Sequence, residues 1–341
     1  AVSGVKVIWG GMTASLKYNK DFNKFNNHVE IPDLQLIAPT KGEMLLHGLL
    51  YDSDSKYSIN QIKVGTTKLG LDLAKIEWKD KIELNFKLGD VLKMATGINS
   101  ADFLNGIDAI NPSSFTFNDI AYTSQSSDEN GFFGANARVR FSSLVTHGNT
   151  YGPLDLDISV SHVNSPAFGK LANQIEKFSA GAASKTDDSA NKDELVALLK
   201  TNFAPILVQK PVLSLSKFEL KTPNGIINIS GRATTNEFTL DDINDQDKFM
   251  NKLLVELNFS LPKPVVLYLF VLQMKYLLSA GNAELDSQSA EALTKVVNIL
   301  LDNQIGTWTK KGYLKINNGM LESHLVLRDG KLIINDIPAK Q

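Results

Sequence analysis

Hydrophobic and polar residues alternate along most of the first 86 positions. Runs such as Met44-Leu45-Leu46-His47-Gly48-Leu49-Leu50 and Ser58-Ile59-Asn60-Gln61-Ile62-Lys63-Val64 are punctuated by Gly, Asn and Asp. Period-two patterning of this kind predicts antiparallel strands with one apolar and one wetted face. Leu69–Trp78 and Lys81–Phe86 continue the series, with Lys79-Asp80-Lys81 as a turn. From Leu88 the spacing changes. Val91, Leu92, Ala95, Ile98, Phe103 and Leu104 recur by threes and fours, which predicts one or two short helices broken at Gly97 and Gly106. Strands resume at Ser114–Tyr122 and Phe132–Ser142, joined by the polar stretch Ser124–Gly131, and again at Leu154–Val163. The last of these sets Leu154, Leu156, Ile158 and Val160 on one face, with Asp155, Asp157, Ser159 and Ser161 on the other.

Ser165-Pro166 then opens a helix, with Ser165 as the cap, Pro166 in the first turn and Phe168, Leu171, Ile175 and Phe178 as its apolar stripe. The small, polar, unpatterned stretch 179–192 reads as a flexible connection between a sheet-rich lobe, 1–178, and a mixed lobe, 193–341. Beyond it the pattern predicts a helix over Asp193–Phe203, a hairpin from Val212–Leu220 and Ile226–Ser230, a strand at Leu253–Leu261 and an amphipathic helix over Ala290–Leu301. A closing meander turns at Asn317-Asn318-Gly319 and Asp329-Gly330. The stretch Val265–Leu272 is apolar on every side. Eight such residues cannot span a bilayer, which takes about twenty. They read as a buried helix, or as one that lines a lipid-sized groove or lies in a membrane interface, with Val265, Val266, Leu269, Phe270 and Leu272 as the candidate groove residues.

Two segments share a pattern. Leu36–Gly48 and Glu219–Gly231 each read strand, Pro/Gly turn, strand, with two glycines six residues apart. A duplicated hairpin and convergent turn chemistry both account for this.

Charge and composition narrow the chemistry. Thirty-five Lys and Arg against 37 Asp and Glu leave a formal net charge of −2, so no overall field draws in nucleic acid. The absence of Cys removes disulfides, thiol nucleophiles and the usual structural zinc sites. No two of His28, His47, His147, His162 and His324 fall at helical metal-ligand spacing, and no phosphate-cradling Gly-rich loop or Gly-x-Ser-x-Gly elbow is present. His47 and His162, within strands, read as satisfied or surface imidazoles. The acidic run Leu240–Asp247 lacks the central Gly and distal Glu of a calcium loop and reads as a capping turn. Asp155 and Asp157 share a strand face that solvent keeps ordinary. No catalytic, cofactor or metal residue is assigned.

Several stretches carry a family likeness: Trp9-Gly-Gly-Met-Thr-Ala-Ser15 before Ile31-Pro-Asp-Leu34, Tyr151-Gly-Pro-Leu-Asp-Leu156 before Val163-Asn-Ser-Pro-Ala-Phe168, Lys221-Thr-Pro-Asn-Gly225, and Asp329–Pro338 with Asp336 where a Gly is more usual. In this order they resemble the YdgA-like family of bacterial proteins, a domain family of unknown function. The resemblance implies the C-terminal two-thirds of a periplasmic protein tethered by an N-terminal hydrophobic segment. The start of the chain, which opens almost directly on alternating Val5, Val7 and Trp9, is read as agreeing with that.

The combined expectation is an α+β fold: an elongated, long-stranded, twisted antiparallel sheet with helices packed on one face, in two possibly related lobes. The expected function is non-enzymatic, in the bacterial cell envelope. The chain would bind an apolar ligand or lipid between sheet and helices or, alternatively, act as a structural or assembly protein contacting other envelope proteins.

Overall fold

A computed structural model describes residues 4–78, 114–146, 148–182, 202–278 and 287–339. The helices expected between Leu88 and Leu104, the strand at Lys81–Phe86, residues 183–192 of the expected connection and most of the helix expected at Asp193–Phe203 lie outside them.

The architecture is one antiparallel sheet in which neighbours in sequence are nearly always neighbours in space. Its first edge is built from β1 (Lys6–Trp9) and β2 (Thr13–Tyr18), which lie end to end along β3 (Lys24–Ala38). The long strands β4 (Gly42–Tyr57), β5 (Lys63–Trp78) and β6 (Ser114–Glu129) follow in order. The far side of β6 carries β7 (Phe132–Phe141) and β8 (Ser143–Thr146), and β9 (Asn149–Tyr151) pairs with β8. Pairing then runs through β10 (Leu154–Asn164), β11 (Val212–Thr222), β12 (Gly225–Thr235) and β13 (Leu253–Pro262). The second edge comprises β14 (Lys315–Asn317), β15 (Met320–Arg328), β16 (Lys331–Ile334) and β17 (Ile337–Pro338). The sheet does not close on itself. It also continues without a gap from one half of the chain to the other, because β10 pairs with β7 on one side and β11 on the other.

The helices among the described residues include α1 (Ser165–Ala182), α2 (Gln246–Lys252), α3 (Lys263–Leu278) and α4 (Ser287–Lys310), with a short helical stretch at 202–207. Leu171 of α1 joins Ile62, Val64, Phe133, Val163 and Ile206 in one buried cluster. Leu301 and Ile305 of α4 join Leu314 and Leu321 in a second, against which Phe259, Val266, Leu267 and Trp308 pack. Each fully buried aliphatic side chain in such a cluster contributes about 1.5–3 kcal/mol of burial free energy.

Several local expectations change. Residues 58–62 form the connection between β4 and β5, where Ser58 Oγ accepts from the Asn60 and Ile62 amides and Gln61 takes a positive φ of 59°. Their alternation came from burial of Ile62 against α1, not from strand pairing. Ser124–Glu129, expected as a polar connection, belongs to β6, because the facing Ala135, Ala137 and Phe133 of β7 supply the apolar contacts. The α1 cap is Asn164, whose Oδ1 accepts the Ala167 amide at 2.9 Å, and not Ser165. Residues 179–182, expected in the flexible connection, continue α1.

The two Pro/Gly segments are both hairpins, β3–β4 and β11–β12, whose second strands open on Gly42 (φ 142°) and Gly225 (φ 126°).

One transverse line interrupts the long strands. The ladder between β3 and β4 skips Pro32 and Gly48, that between β4 and β5 skips Gly48 and Leu49 with Leu71 and Asp72, and that between β5 and β6 skips Asp72 and Asp119. Gly48 and Asp119 have φ of 69° and 53°. A left-handed residue turns its two flanking peptide groups the same way, so side-chain alternation changes phase there. The sequence follows suit. Across this line the nearest apolar residues are three apart in β3, β4 and β6: Ile31 and Leu34, Leu46 and Leu49, Phe117 and Ile120; in β5 Leu71 and Leu73 flank Asp72, with Ala74 next beyond them. The crease therefore keeps the apolar residues above and below it on one side of the sheet. Phe117, above the crease, meets Phe141, below it, edge-on at 5.7 Å between ring centroids.

Candidate functional site

Register converts the alternation into rows. Below the crease one row runs Ala14, Val29, Tyr51, Leu69, Tyr122, Val139, Leu156, Phe218, Ile229, Phe259, one residue from each of ten paired strands, and meets Ser323 on the eleventh. At about 4.8 Å per strand the ten span about 43 Å. From Val29 to Phe259 every side chain is partly covered, and none is fully buried. A row of this composition inside an ordinary core would be dry. Farther along the same face, Leu213 is 57% and Ile158 40% exposed.

A second row lies above the crease: Trp9, Leu34, Leu46, Ala74, Phe117, Leu144 and Tyr151. It begins at Trp9, half exposed, and ends where Tyr151 hydrogen-bonds Tyr268 of α3. Burial, with the neighbouring Tyr151 hydroxyl, raises the Tyr268 phenol above its ordinary pKa. A tyrosine pair ties the helix to the apolar row through a polar contact at its rim.

The candidate groove residues divide. Val265 is buried and Val266 packs against the Leu301–Leu321 cluster. Leu269 is half-buried and Phe270 is 45% exposed, while the Leu272 side chain lies outside the described residues. Tyr268, which alternation alone did not single out, joins Leu269 and Phe270 on the partly exposed surface of α3.

The opposite face is polar and cross-braced. Asp155 accepts a bidentate pair from Arg138 at 2.8 and 2.6 Å and a third bond from Lys217 at 3.1 Å. The Arg138 hydrogen bonds, with Lys217 beside them, hold its carboxyl down at about 2. Asp155 is thus less ordinary than a freely solvated carboxylate, and is shifted away from acid catalysis rather than toward it.

Three imidazoles pair with carboxylates on the neighbouring strand: His28 with Asp52 at 2.8 Å, His47 with Asp33 at 2.7 Å and His324 with Glu256 at 3.2 Å. His162 lies against the Phe132 ring at 5.3 Å between centroids. In the acidic run, Asp242 accepts the Thr239 amide and Asp245 accepts the Asp247 and Lys248 amides, so these carboxylates cap a 3-10 turn and α2. No group of three or more candidate metal ligands occurs among the described residues. Also among them, no helix is long and apolar enough to cross a membrane.

None of the curated proteins compared with the chain matches it. A family model does, over residues 1–340, under the description "Bacterial protein of unknown function (DUF945)". The match extends over the N-terminal edge, the crease, both rows and the terminal meander alike, and the chain belongs to this bacterial family of unknown function.

Proposed function

We propose that this chain is a non-catalytic carrier or holder of an apolar ligand, with acyl chains lying along the apolar face of its sheet beneath the helices. One observation carries the reading: a ten-strand row of apolar side chains, about 43 Å long, in which Val29 to Phe259 are partly covered and none is fully buried. Its length exceeds the roughly 30 Å hydrocarbon core of a bilayer, so it has room for lipid chains. Phe259 and Leu321 of the sheet pack with α3 and α4 residues, and Phe133 and Val163 pack with Leu171 of α1. This supports helices lying over the same face. The setting proposed is the bacterial periplasm, the chain being tethered to the inner membrane by a segment outside it.

Native mass spectrometry of the purified chain, before and after organic extraction and re-exposure to phospholipid, tests the reading. A lipid mass that is lost and regained is the expected result. A chain that stays empty when offered lipid removes the proposal.

A second reading, an assembly protein that docks another envelope protein at its first edge, is favoured by the apolar residues there. Val7, Leu16 and Tyr18 are 58, 59 and 55% exposed on β1 and β2. Cross-linking in cells from Leu16 and Tyr18 would recover one defined partner; a purely monomeric pattern removes this alternative.

A further inference from the structure

A hollow of about 460 Å³ opens on the polar face of the strands that carry Phe218, Ile229 and Phe259, which are themselves among its lining residues. Register explains its floor. Asn228 faces Ser260 and Ser230 faces Asn258, so four adjacent positions on β12 and β13 carry short uncharged polar side chains. Solvent-facing sheet positions are commonly filled by longer charged side chains, as in the neighbouring Arg232–Glu256 pair. Here the floor drops and the longer side chains stand around it. Glu322 and His324 of β15 form one wall, and the β-bulge at Ser216 and Lys217 forms the other.

The floor has unused hydrogen-bonding capacity. Asn228, Ser230 and Asn258 make no side-chain hydrogen bond to protein among the described residues. Each amide offers two donors and an acceptor, and each hydroxyl one donor and two lone pairs. The charges around it are balanced or already engaged. Lys217 is held by Asp155 and Glu219 at 3.1 and 3.6 Å, His324 reaches Glu256, and Glu322 opposes Lys315 across β14 and β15. A phosphate or sulfate would meet the Glu322 carboxylate, and a cation would meet Lys217 and Lys315.

We infer that this hollow is a binding site for a neutral polyhydroxylated ligand, a short oligosaccharide segment, read by the Asn228, Ser230, Asn258 and Ser260 side chains. Hydroxyls that both donate and accept match amides and hydroxyls that do the same, and the volume falls within the range of small-ligand sites. The His324 ring stands in one wall of the hollow, and Phe218 and Phe259 are also among its lining residues. The site is on the opposite face from the proposed apolar ligand and stands or falls independently of it.

Amide NMR spectra of the full chain, titrated with maltotriose, with triacetylchitotriose and separately with inorganic phosphate, test the inference. The expected result is saturable movement of the Asn228 and Asn258 side-chain amide signals with at least one saccharide and none with phosphate. Asn258→Leu, which suits a strand, should weaken that response at least tenfold with the thermal midpoint retained, and Thr234→Val, outside the hollow, should not. If Asn258→Leu fails to fold, Ser230→Ala replaces it, with a loss of threefold or more expected. Movement with phosphate in place of saccharide, no saturable movement at all, or an unchanged response in the folded floor variants would each overturn the assignment.

Discussion

Replacing Gly48 tests the crease directly. Its φ of 69° is left-handed, and a Cβ built there would stand 3.0 Å from Asp72 Cβ and overlap the Asp72 carboxylate. Two separable costs follow for Gly48→Ala. Holding a non-glycine residue in the left-handed region costs about 1–2 kcal/mol. Moving Asp72 off the backbone adds about 1–2 kcal/mol of steric and rotamer strain. The single variant should therefore lose about 2–4 kcal/mol in urea unfolding followed by circular dichroism. Asp72→Ala removes only the second cost, so Gly48→Ala in that background should lose only about 1–2 kcal/mol. The double-mutant cycle then isolates a coupling of about 1–2 kcal/mol. Gly48→Val should lose more than Gly48→Ala, because a β-branched side chain in this conformation is strongly disfavoured. A neutral Gly48→Ala, or one that Asp72→Ala fails to relieve, would refute the claim that Gly48 holds the change of phase under the Asp72 side chain.

Three further predictions concern ion pairing and burial. Asp155, its carboxyl lowered to about 2 by Arg138 and Lys217, contributes stability that is present above the ordinary carboxylate value near 3.8 and is lost as pH falls from about 4 through 2. Because Arg138 and Lys217 are nearly half exposed, its worth is discounted to about 1 kcal/mol; acid unfolding of Asp155→Asn should show a correspondingly shallower slope in that window. His47, paired with the exposed Asp33, should titrate above its ordinary value in an NMR pH series, its pairing being complete below 6.5 and lost as pH rises through the raised value. Asp33→Asn should bring that titration back toward 6.5. Leu301→Ala, at a side chain 2% exposed in the α4 cluster, should cost about 2–5 kcal/mol by urea unfolding, whereas Leu300→Ala, 58% exposed on the same helix, should cost less than about 1 kcal/mol.

Strand character was legible because one apolar face and one wet face leave a local period of two. Leu154–Val160 is the clearest case, and its faces in the fold are those its alternation predicts. The same reasoning erred where alternation had another source. Ile62 and Val64 alternate because both are buried against α1, though Ile62 lies in a turn. It erred in the opposite sense at Ser124–Asp128, where polar residues form a strand because β7 completes the contact. Apolar residues on α3 were equally visible, but not their roles. Val266 packs into a core and Phe270 lies half exposed four residues on, a division that depends on the neighbouring helix α4.

What could not be read locally is the row, because a row is a property of register. Val29, Tyr51, Leu69, Tyr122 and Val139 have no common spacing in the chain, and only the ladders place them side by side. The crease left a fainter trace: apolar residues three apart where two are usual, at Ile31–Leu34, Leu46–Leu49 and Phe117–Ile120. Taken singly, each such step reads as a bulge or as the end of a strand. Taken together, at positions that the pairing aligns on either side of Asp72, the three steps mark one line across the sheet along which alternation changes phase. Without that change, the apolar residues on its two sides would fall on opposite faces, and neither face could hold an unbroken apolar surface. The continuity of the apolar face from the partly covered row to the row above the crease therefore rests on Gly48, Asp72 and Asp119, residues that themselves contribute no apolar side chain to it.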